Sequence, residues 1–231
     1  MDNASLAAHL DFANHHPNAT TADIKYVCDR VTQYGFNAAF MNPSWVLRAR
    51  REWSYTGKIG TIVSFPLGQD SLEIKIASAK QYAAYGANEL DAVLNISQIK
   101  EAKWDAVLYE MQTFVNSVKT THPQVIIKFI PECGFLSPDE IKKTAELMVQ
   151  AHVDFFKTCS GMGPRGAIVD DVRYVREAVG DAILIKCAGG IDTLPEAEAL
   201  LAAGANRLGT SHAPEIIGVN QATPLPATST E

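Results

Sequence analysis

The 231-residue chain contains no run of about 18 consecutive apolar residues, so no membrane-spanning helix is expected. Its N-terminus has no basic segment leading into an apolar one, which argues against a secretory leader. Four cysteines (Cys28, Cys133, Cys159, Cys187) stand far apart with no CxxC pair, so reduced thiols in a cytoplasmic protein are expected. No GxGxxG turn follows the first candidate strand, which weakens a nucleotide-binding reading. His15 and His16 are adjacent rather than in HxH or ExxH spacing, so no metal site and no cofactor are expected. Positive charge is in deficit: the net charge is −6, which gives no support for a nucleic-acid partner.

What remains is ample apolar material. Hydrophobic residues make up 47% of the chain and charged residues 20%, enough for a sizeable core and too apolar for global disorder. Short β-branched runs alternate with longer stretches of helical period. Strands are expected near 8–12, 36–41, 58–64, 88–94, 124–130, 153–157, 182–187 and 206–209. Several intervening helices carry readable ends, such as Thr20 with Asp23, Ser137-Pro138-Asp139-Glu140 and Thr193-Leu194-Pro195-Glu196. One helix-to-strand junction recurs as Tyr34-Gly35-Phe36-Asn37, Tyr85-Gly86-Ala87-Asn88 and Ala203-Gly204-Ala205-Asn206. Ala151-His152-Val153-Asp154 is a version without glycine. Eight βα units predict a single (β/α)8 barrel over residues 1–218, with a flexible Pro-, Thr- and Ala-rich tail at 219–231.

The informative residues are charges inside strand patterns. Lys128, Lys157 and Lys186 fall on the fifth, sixth and seventh expected strands, and Asp91 falls on the fourth. A lysine that only ends a strand and reaches solvent needs no explanation. Three on neighbouring strands call for one, because burying a charge costs several kcal/mol without a partner. Lys157 and Lys186 are expected at C-terminal strand ends, where barrels place their chemistry. A neighbouring ammonium and desolvation both disfavour a lysine's charged form, and the freed amine can attack a carbonyl. The resulting iminium is an electron sink, and a carboxylate such as Asp91 can move the protons. The expectation is that one lysine is kept unprotonated by its cationic neighbour. Spacing does not say which lysine is the nucleophile, and three lysines could instead hold a polyanion.

The segments Phe156-Lys157-Thr158-Cys159-Ser160-Gly161, Ile185-Lys186-Cys187-Ala188-Gly189-Gly190-Ile191 and Glu89-Leu90-Asp91-Ala92-Val93 resemble signatures of the deoxyribose-phosphate aldolase family. Lys128 with Glu132 and Gly134, and Arg207-Leu208-Gly209-Thr210-Ser211, are similar to two more, in the same order over about residues 10–218. The resemblance implies reversible cleavage of 2-deoxyribose 5-phosphate to acetaldehyde and glyceraldehyde 3-phosphate without a cofactor. It implies that Lys157 forms the Schiff base, Lys186 perturbs it and assists proton transfer, and Asp91 completes the relay. Implied substrate contacts are Lys128, Thr158, Gly161, Gly189, Gly190, Gly209, Thr210 and Ser211, with Asp192 at the same end of the site and backbone N–H groups near the last two strands holding the phosphate. Partners are then small aldehydes and sugar phosphates, with a homodimer as the expected assembly.

Departures from the family pattern sit at the phosphate end. Asp192 replaces an arginine, and His212 replaces the second serine of G-[TA]-S-S. The N-terminal I-D-H-T-x-L-K-P reads Leu10-Asp11-Phe12-Ala13-Asn14-His15-His16-Pro17. These changes suggest weakened phosphate selectivity, with unphosphorylated or other hydroxy-aldehydes as alternative substrates; a different class of reading is a non-catalytic barrel that binds an anionic metabolite through Lys128, Lys157 and Lys186. Phe40 stands where many family members carry a cysteine open to attack by crotonaldehyde, so tolerance of acetaldehyde is expected. The basic run Arg48-Ala49-Arg50-Arg51 reads as a solvated helix face, and Trp45, Trp53 and Trp104 as packing residues.

Overall fold

A computed structural model describes residues 2–219. The tail expected at 219–231 therefore lies outside the described residues, apart from Val219, which packs against the core. Eight parallel strands close into a barrel in sequential order: β1 (Leu10–Asn14), β2 (Ala38–Met41), β3 (Ile59–Val63), β4 (Glu89–Val93), β5 (Ile126–Ile130), β6 (Phe155–Lys157), β7 (Leu184–Ala188) and β8 (Arg207–Thr210). The sequence places all eight, although each begins one or two residues later than its apolar run does.

Among the described residues ten α-helices accompany them: α1 (Asn3–Ala7), α2 (Thr21–Tyr34), α3 (Pro43–Arg51), α4 (Leu72–Ala84), α5 (Ile96–Lys100), α6 (Trp104–Thr121), α7 (Pro138–Gln150), α8 (Val169–Val179), α9 (Leu194–Ala202) and α10 (Ala213–Ile216). Thr20, Ser137 and Thr193 form the capping boxes their spacing predicts, so each of these helices starts where the sequence says. No helix among the described residues is long and apolar enough to cross a membrane.

The late starts of β2, β4, β6 and β8 have a cause in the recurring junction. Gly35, Gly86 and Gly204 take left-handed backbone (φ 70, 104 and 110°), and His152 fills the same place at φ 56°. Two residues on, an amide or carboxylate is used as a clamp rather than as a strand residue. Asn88 Oδ1 accepts from Ile59 N at 2.9 Å, Asp154 Oδ2 from Ile127 N at 2.8 Å, and Asn206 Oδ1 from Ile185 N at 2.8 Å. A helix-borne cation also reaches each of these oxygens: Arg50 at 2.7 Å, Lys119 at 2.8 Å and Arg176 at 2.7 Å. Arg50 of the basic run is thus a structural strut.

Side chains within a strand alternate between the barrel interior and the helix layer, and partnered residues on neighbouring parallel strands face the same way. Asp91 pairs in register with Lys128, and Lys186 pairs with both Lys157 and Arg207, so these charges converge inside the barrel. Phe40 also points inward and is fully buried. A Cβ at Gly60 on the adjacent strand would lie 2.1 Å from its ring, so glycine there is what admits an aromatic side chain.

Candidate active site

The three lysines are 0% (Lys128), 3% (Lys157) and 1% (Lys186) exposed, so the solvated reading of them is wrong. Ammonium groups at that depth persist only with partners. Asp91 supplies most of the pairing. Its Oδ2 accepts from Lys157 Nζ at 2.8 Å and from Lys186 Nζ at 3.0 Å, while its Oδ1 accepts from Lys128 Nζ at 2.9 Å. Two further buried carboxylates complete the cluster. Asp11 on β1 lies 2.7 Å from Lys186 Nζ and 3.1 Å from Arg207, and Glu89 on β4 pairs with Lys128 and approaches Arg207 at 3.6 Å. Their counter-charge role was not apparent from spacing.

A charge count follows from this geometry. Three carboxylates (Asp11, Glu89, Asp91) face Lys128, Lys186 and Arg207, and Lys157 is a fourth basic group. The cluster balances when Lys157 is neutral. Burial pushes the Lys157 ammonium down to about 8; Asp91 opposes this and Lys186 reinforces it. This corrects the expectation from sequence: the low-dielectric site frees the amine more than the cationic neighbour does. Burial acts to raise the Asp91 carboxyl, but Lys128, Lys157 and Lys186 outweigh it and hold it well below the usual carboxylate range. Burial likewise opposes the Lys128 ammonium, yet Asp91 and Glu89 raise it above its ordinary value, so Lys128 is a permanent cation.

Lys157 ends β6 at the barrel mouth, as expected. Lys186 does not end its strand; it lies in the middle of β7, and its stem rises to the same level. A Cβ at Gly209 would come within 2.9 Å of Lys186 Cε, so this glycine clears the path of that stem. Lys186 Nζ sits 3.4 Å from the centroid of the Phe40 ring, an attraction between cation and π face.

Above the amines opens a pocket of about 210 Å³, bordered by Lys157, Lys186, Phe40, Phe65, His15 and the loops after β6, β7 and β8. Of the residues expected at the substrate, Gly161, Gly189, Gly190, Asp192, Gly209, Thr210 and Ser211 line it. Lys128 and Thr158 do not: Lys128 is bound in the ion cluster beneath, and the Thr158 hydroxyl accepts from Ala188 N at 3.3 Å. Lys128 therefore belongs to the buried ion cluster and is not among the residues that border this pocket. Sequence reasoning set His15 aside for lack of metal spacing, yet it forms part of the wall. Its position just past the C-terminal end of β1, where barrels build their sites, was the usable signal. Among the described residues no group of three or more His, Cys, Asp or Glu is placed to hold a metal ion.

The phosphate end differs from the expectation in one respect. The backbone amides just before α9 are taken by the protein's own carboxylate: Glu196 Oε2 accepts from Asp192 N and Thr193 N, both at 3.0 Å. Asp192 lies 3.0 Å from His212 Nδ1, which also meets Ser211 Oγ at 3.2 Å. The Thr210 hydroxyl donates to Ile191 O at 2.6 Å. Gly190 has φ 66° with open space where a side chain would be, which leaves its backbone accessible to an anion.

Comparison with known proteins agrees with this geometry. Residues 4–218 match the family model described as DeoC/LacD family aldolase. The chain is 39% identical over 214 residues to the deoxyribose-phosphate aldolase of Caldanaerobacter subterraneus subsp. tengcongensis, covering 92% of each. It is 38% identical over 221 residues to that of Thermococcus kodakarensis, covering 94% of this chain and 97% of the relative. Among solved structures, the tetrameric deoxyribose phosphate aldolase from Aeropyrum pernix superposes with a TM-score of 0.86 at 26% identity, covering 94% of this chain and 91% of that one.

Proposed function

The chain belongs to the DeoC/LacD family of aldolases, and from that membership we infer that it is a deoxyribose-phosphate aldolase, an aldehyde-lyase that reversibly splits 2-deoxyribose 5-phosphate into acetaldehyde and glyceraldehyde 3-phosphate. The observation that carries this reading is Lys157. It is a buried amine brought down to about 8, lining a pocket and sharing one carboxylate oxygen with a second lysine.

The roles follow from the contacts. Unprotonated Lys157 Nζ attacks the C1 aldehyde of the open-chain sugar, and loss of water leaves an iminium. The C2–C3 electron pair moves into a C1–C2 double bond and the C–N π pair returns to nitrogen, giving an enamine. C3 leaves as the carbonyl of glyceraldehyde 3-phosphate. Protonation at C2 and hydrolysis release acetaldehyde and restore the lysine. Lys186 and Asp91, which touch each other at 3.0 Å, are the groups placed to move the C2 proton. The phosphate takes the glycine-lined end of the pocket at Gly189–Gly190 and Gly209–Ser211.

The relatives favour this reading over an aldolase for unphosphorylated aldehydes and over a non-catalytic binder. Borohydride reduction in the presence of acetaldehyde tests it: an ethyl group on the peptide carrying Lys157, absent in Lys157→Met, is the expected result. A wild-type protein that forms no reducible adduct would remove the reading. The expected homodimer is measured by sedimentation of the full chain.

A further inference from the structure

We propose that Asp11 is a positioning residue that decides which of two amines becomes the nucleophile: it holds Lys186 as the charged partner and so leaves the attack to Lys157. The proposal rests on the aldolase reading and adds to it the group that divides the labour. Both amines border the pocket. Both are buried to nearly the same degree, 3% exposed for Lys157 and 1% for Lys186. Both donate to the same oxygen, Asp91 Oδ2, at 2.8 and 3.0 Å. Depth, access and the shared carboxylate therefore do not tell them apart.

Counter-charges do. Among the described residues Lys157 pairs with Asp91 alone, and Asp91 is shared by three lysines. Lys186 has a second carboxylate, Asp11, at 2.7 Å. It also has the Phe40 ring at 3.4 Å, whereas the nearest ring to Lys157, that of Phe65, lies 5.9 Å away. A buried ammonium persists where partners surround it, and the less paired of two neighbours gives up its proton first.

The fold aims Asp11 at this one amine. Asp11 is fully buried on β1, and Lys186 on β7 reaches it across β8. Gly209 is the β8 residue in register with Asp11, and its missing side chain leaves that way open. The far oxygen of the carboxylate is already engaged: Asp11 Oδ1 accepts from Asn37 Nδ2 at 2.7 Å and from Arg207 Nη1 at 3.1 Å. Oδ2 is left for the lysine. Burial raises the Asp11 carboxyl, and Lys186 is the strongest charge opposing that rise, ahead of Arg207 and Lys128, while Glu89 adds to it. The ionised acid and the ammonium thus sustain each other.

The charge count gives the consequence. With Asp11 present, three carboxylates balance Lys128, Lys186 and Arg207, and Lys157 is neutral. Without it, Glu89 and Asp91 are balanced by Lys128 and Arg207, and Lys186 stands in the same position as Lys157. An unprotonated Lys186 attacks an aldehyde as Lys157 does, losing water to form an iminium. It also has no proton to give the enamine carbon.

Peptide mapping after borohydride reduction with acetaldehyde reads this role directly. In the wild type the ethyl group should fall on the peptide carrying Lys157 alone. In Asp11→Asn, which keeps the size of the side chain and removes its charge, the peptide carrying Lys186 should be labelled too. Cleavage of 2-deoxyribose 5-phosphate should fall about a hundredfold in the same variant. Asp11→Glu retains the charge, so Lys186 should stay unlabelled. A merely structural role for Asp11 would lower labelling without moving it to a second residue. Lys157→Met serves if the asparagine variant does not fold: with Asp11 in place, Lys186 should take no ethyl group at neutral pH. Labelling of Lys186 in Lys157→Met or Asp11→Glu, or its absence in folded Asp11→Asn, overturns the proposal. Absence of any adduct in the wild type would instead remove the aldolase reading itself.

Discussion

Lys157 donates to Asp91 at 2.8 Å, and this contact works against the burial that makes the lysine a nucleophile. The pairing sets the amine at an intermediate value, where it is a base strong enough to attack an aldehyde and a minor fraction of it, about a tenth, is unprotonated at neutrality. Adduct formation should therefore rise with pH through about 8 and level off above it. Lys186 is a cation that lowers the Lys157 value, so removing it in Lys186→Met should move the rise to higher pH. The measurement is the rate of borohydride-trapped adduct against pH for both proteins. A shift to lower pH in the variant would show that the two amines do not repel as their positions require.

Replacing the carboxylate has the opposite sign. Asp91 raises Lys157, so Asp91→Asn should let the amine deprotonate at lower pH and shift adduct formation downward. Turnover should nonetheless fall about 10²–10⁴-fold, the usual contribution of a proton-transfer group. The same change leaves Lys128 and Lys186 short of a buried partner, so the melting temperature should drop as well. An Asp91→Asn protein with intact turnover would place the proton relay elsewhere.

How far the sequence reached depended on what kind of contact was involved. Strand alternation and glycine junctions are local, so eight strands and the inward aim of Asp91, Lys128, Lys157 and Lys186 were legible. Which charges meet across the barrel is not local. Asp11 from β1 and Lys186 from β7 come together only when the sheet closes, and no spacing announces that pair. Lys128 was expected at the substrate from the family resemblance, and its place in the buried ion cluster with Glu89 and Asp91 depends on strands that meet only in the closed barrel. Phe40 inside the barrel depends on the missing side chain of Gly60, a two-strand relationship invisible in either strand alone. His15 was judged by metal spacing when its position past a strand end was the better guide.

The same Phe40 bears on tolerance of acetaldehyde. It fills a position where a cysteine would face the reactive amines, and the four cysteines present are all buried. Burial pushes the Cys28 thiol up to about 12 and raises Cys133 and Cys187 above their ordinary value. The thiolate is the attacking species, so these groups are poor targets for the unsaturated aldehyde that acetaldehyde condenses to form. Wild-type protein held in concentrated acetaldehyde should keep most of its activity and show no four-carbon adduct on any cysteine peptide. Phe40→Cys should lose activity under the same treatment and carry the adduct at residue 40. Rapid wild-type inactivation with a modified cysteine would refute the argument.

Asp192 presents a different kind of test, because it is a negative charge at the end of the pocket assigned to a phosphate. Its carboxylate is 59% exposed and paired with His212 at 3.0 Å, so its repulsion of an anion is screened by solvent and partly offset. The cost should be modest. Asp192→Asn removes the charge while the α9 cap stays in place, since Glu196 accepts from the backbone N–H of residue 192 and not from its side chain. The KM for 2-deoxyribose 5-phosphate should then fall by up to about fivefold, equivalent to roughly 1 kcal/mol. The KM for unphosphorylated 2-deoxyribose should stay unchanged. Added salt should shrink the difference, because a Debye length of about 8 Å at physiological ionic strength shortens further as salt rises. Equal changes for both sugars, or no change for the phosphorylated one, would mean that the phosphate does not approach Asp192 and that the glycine-lined end of the pocket binds something else.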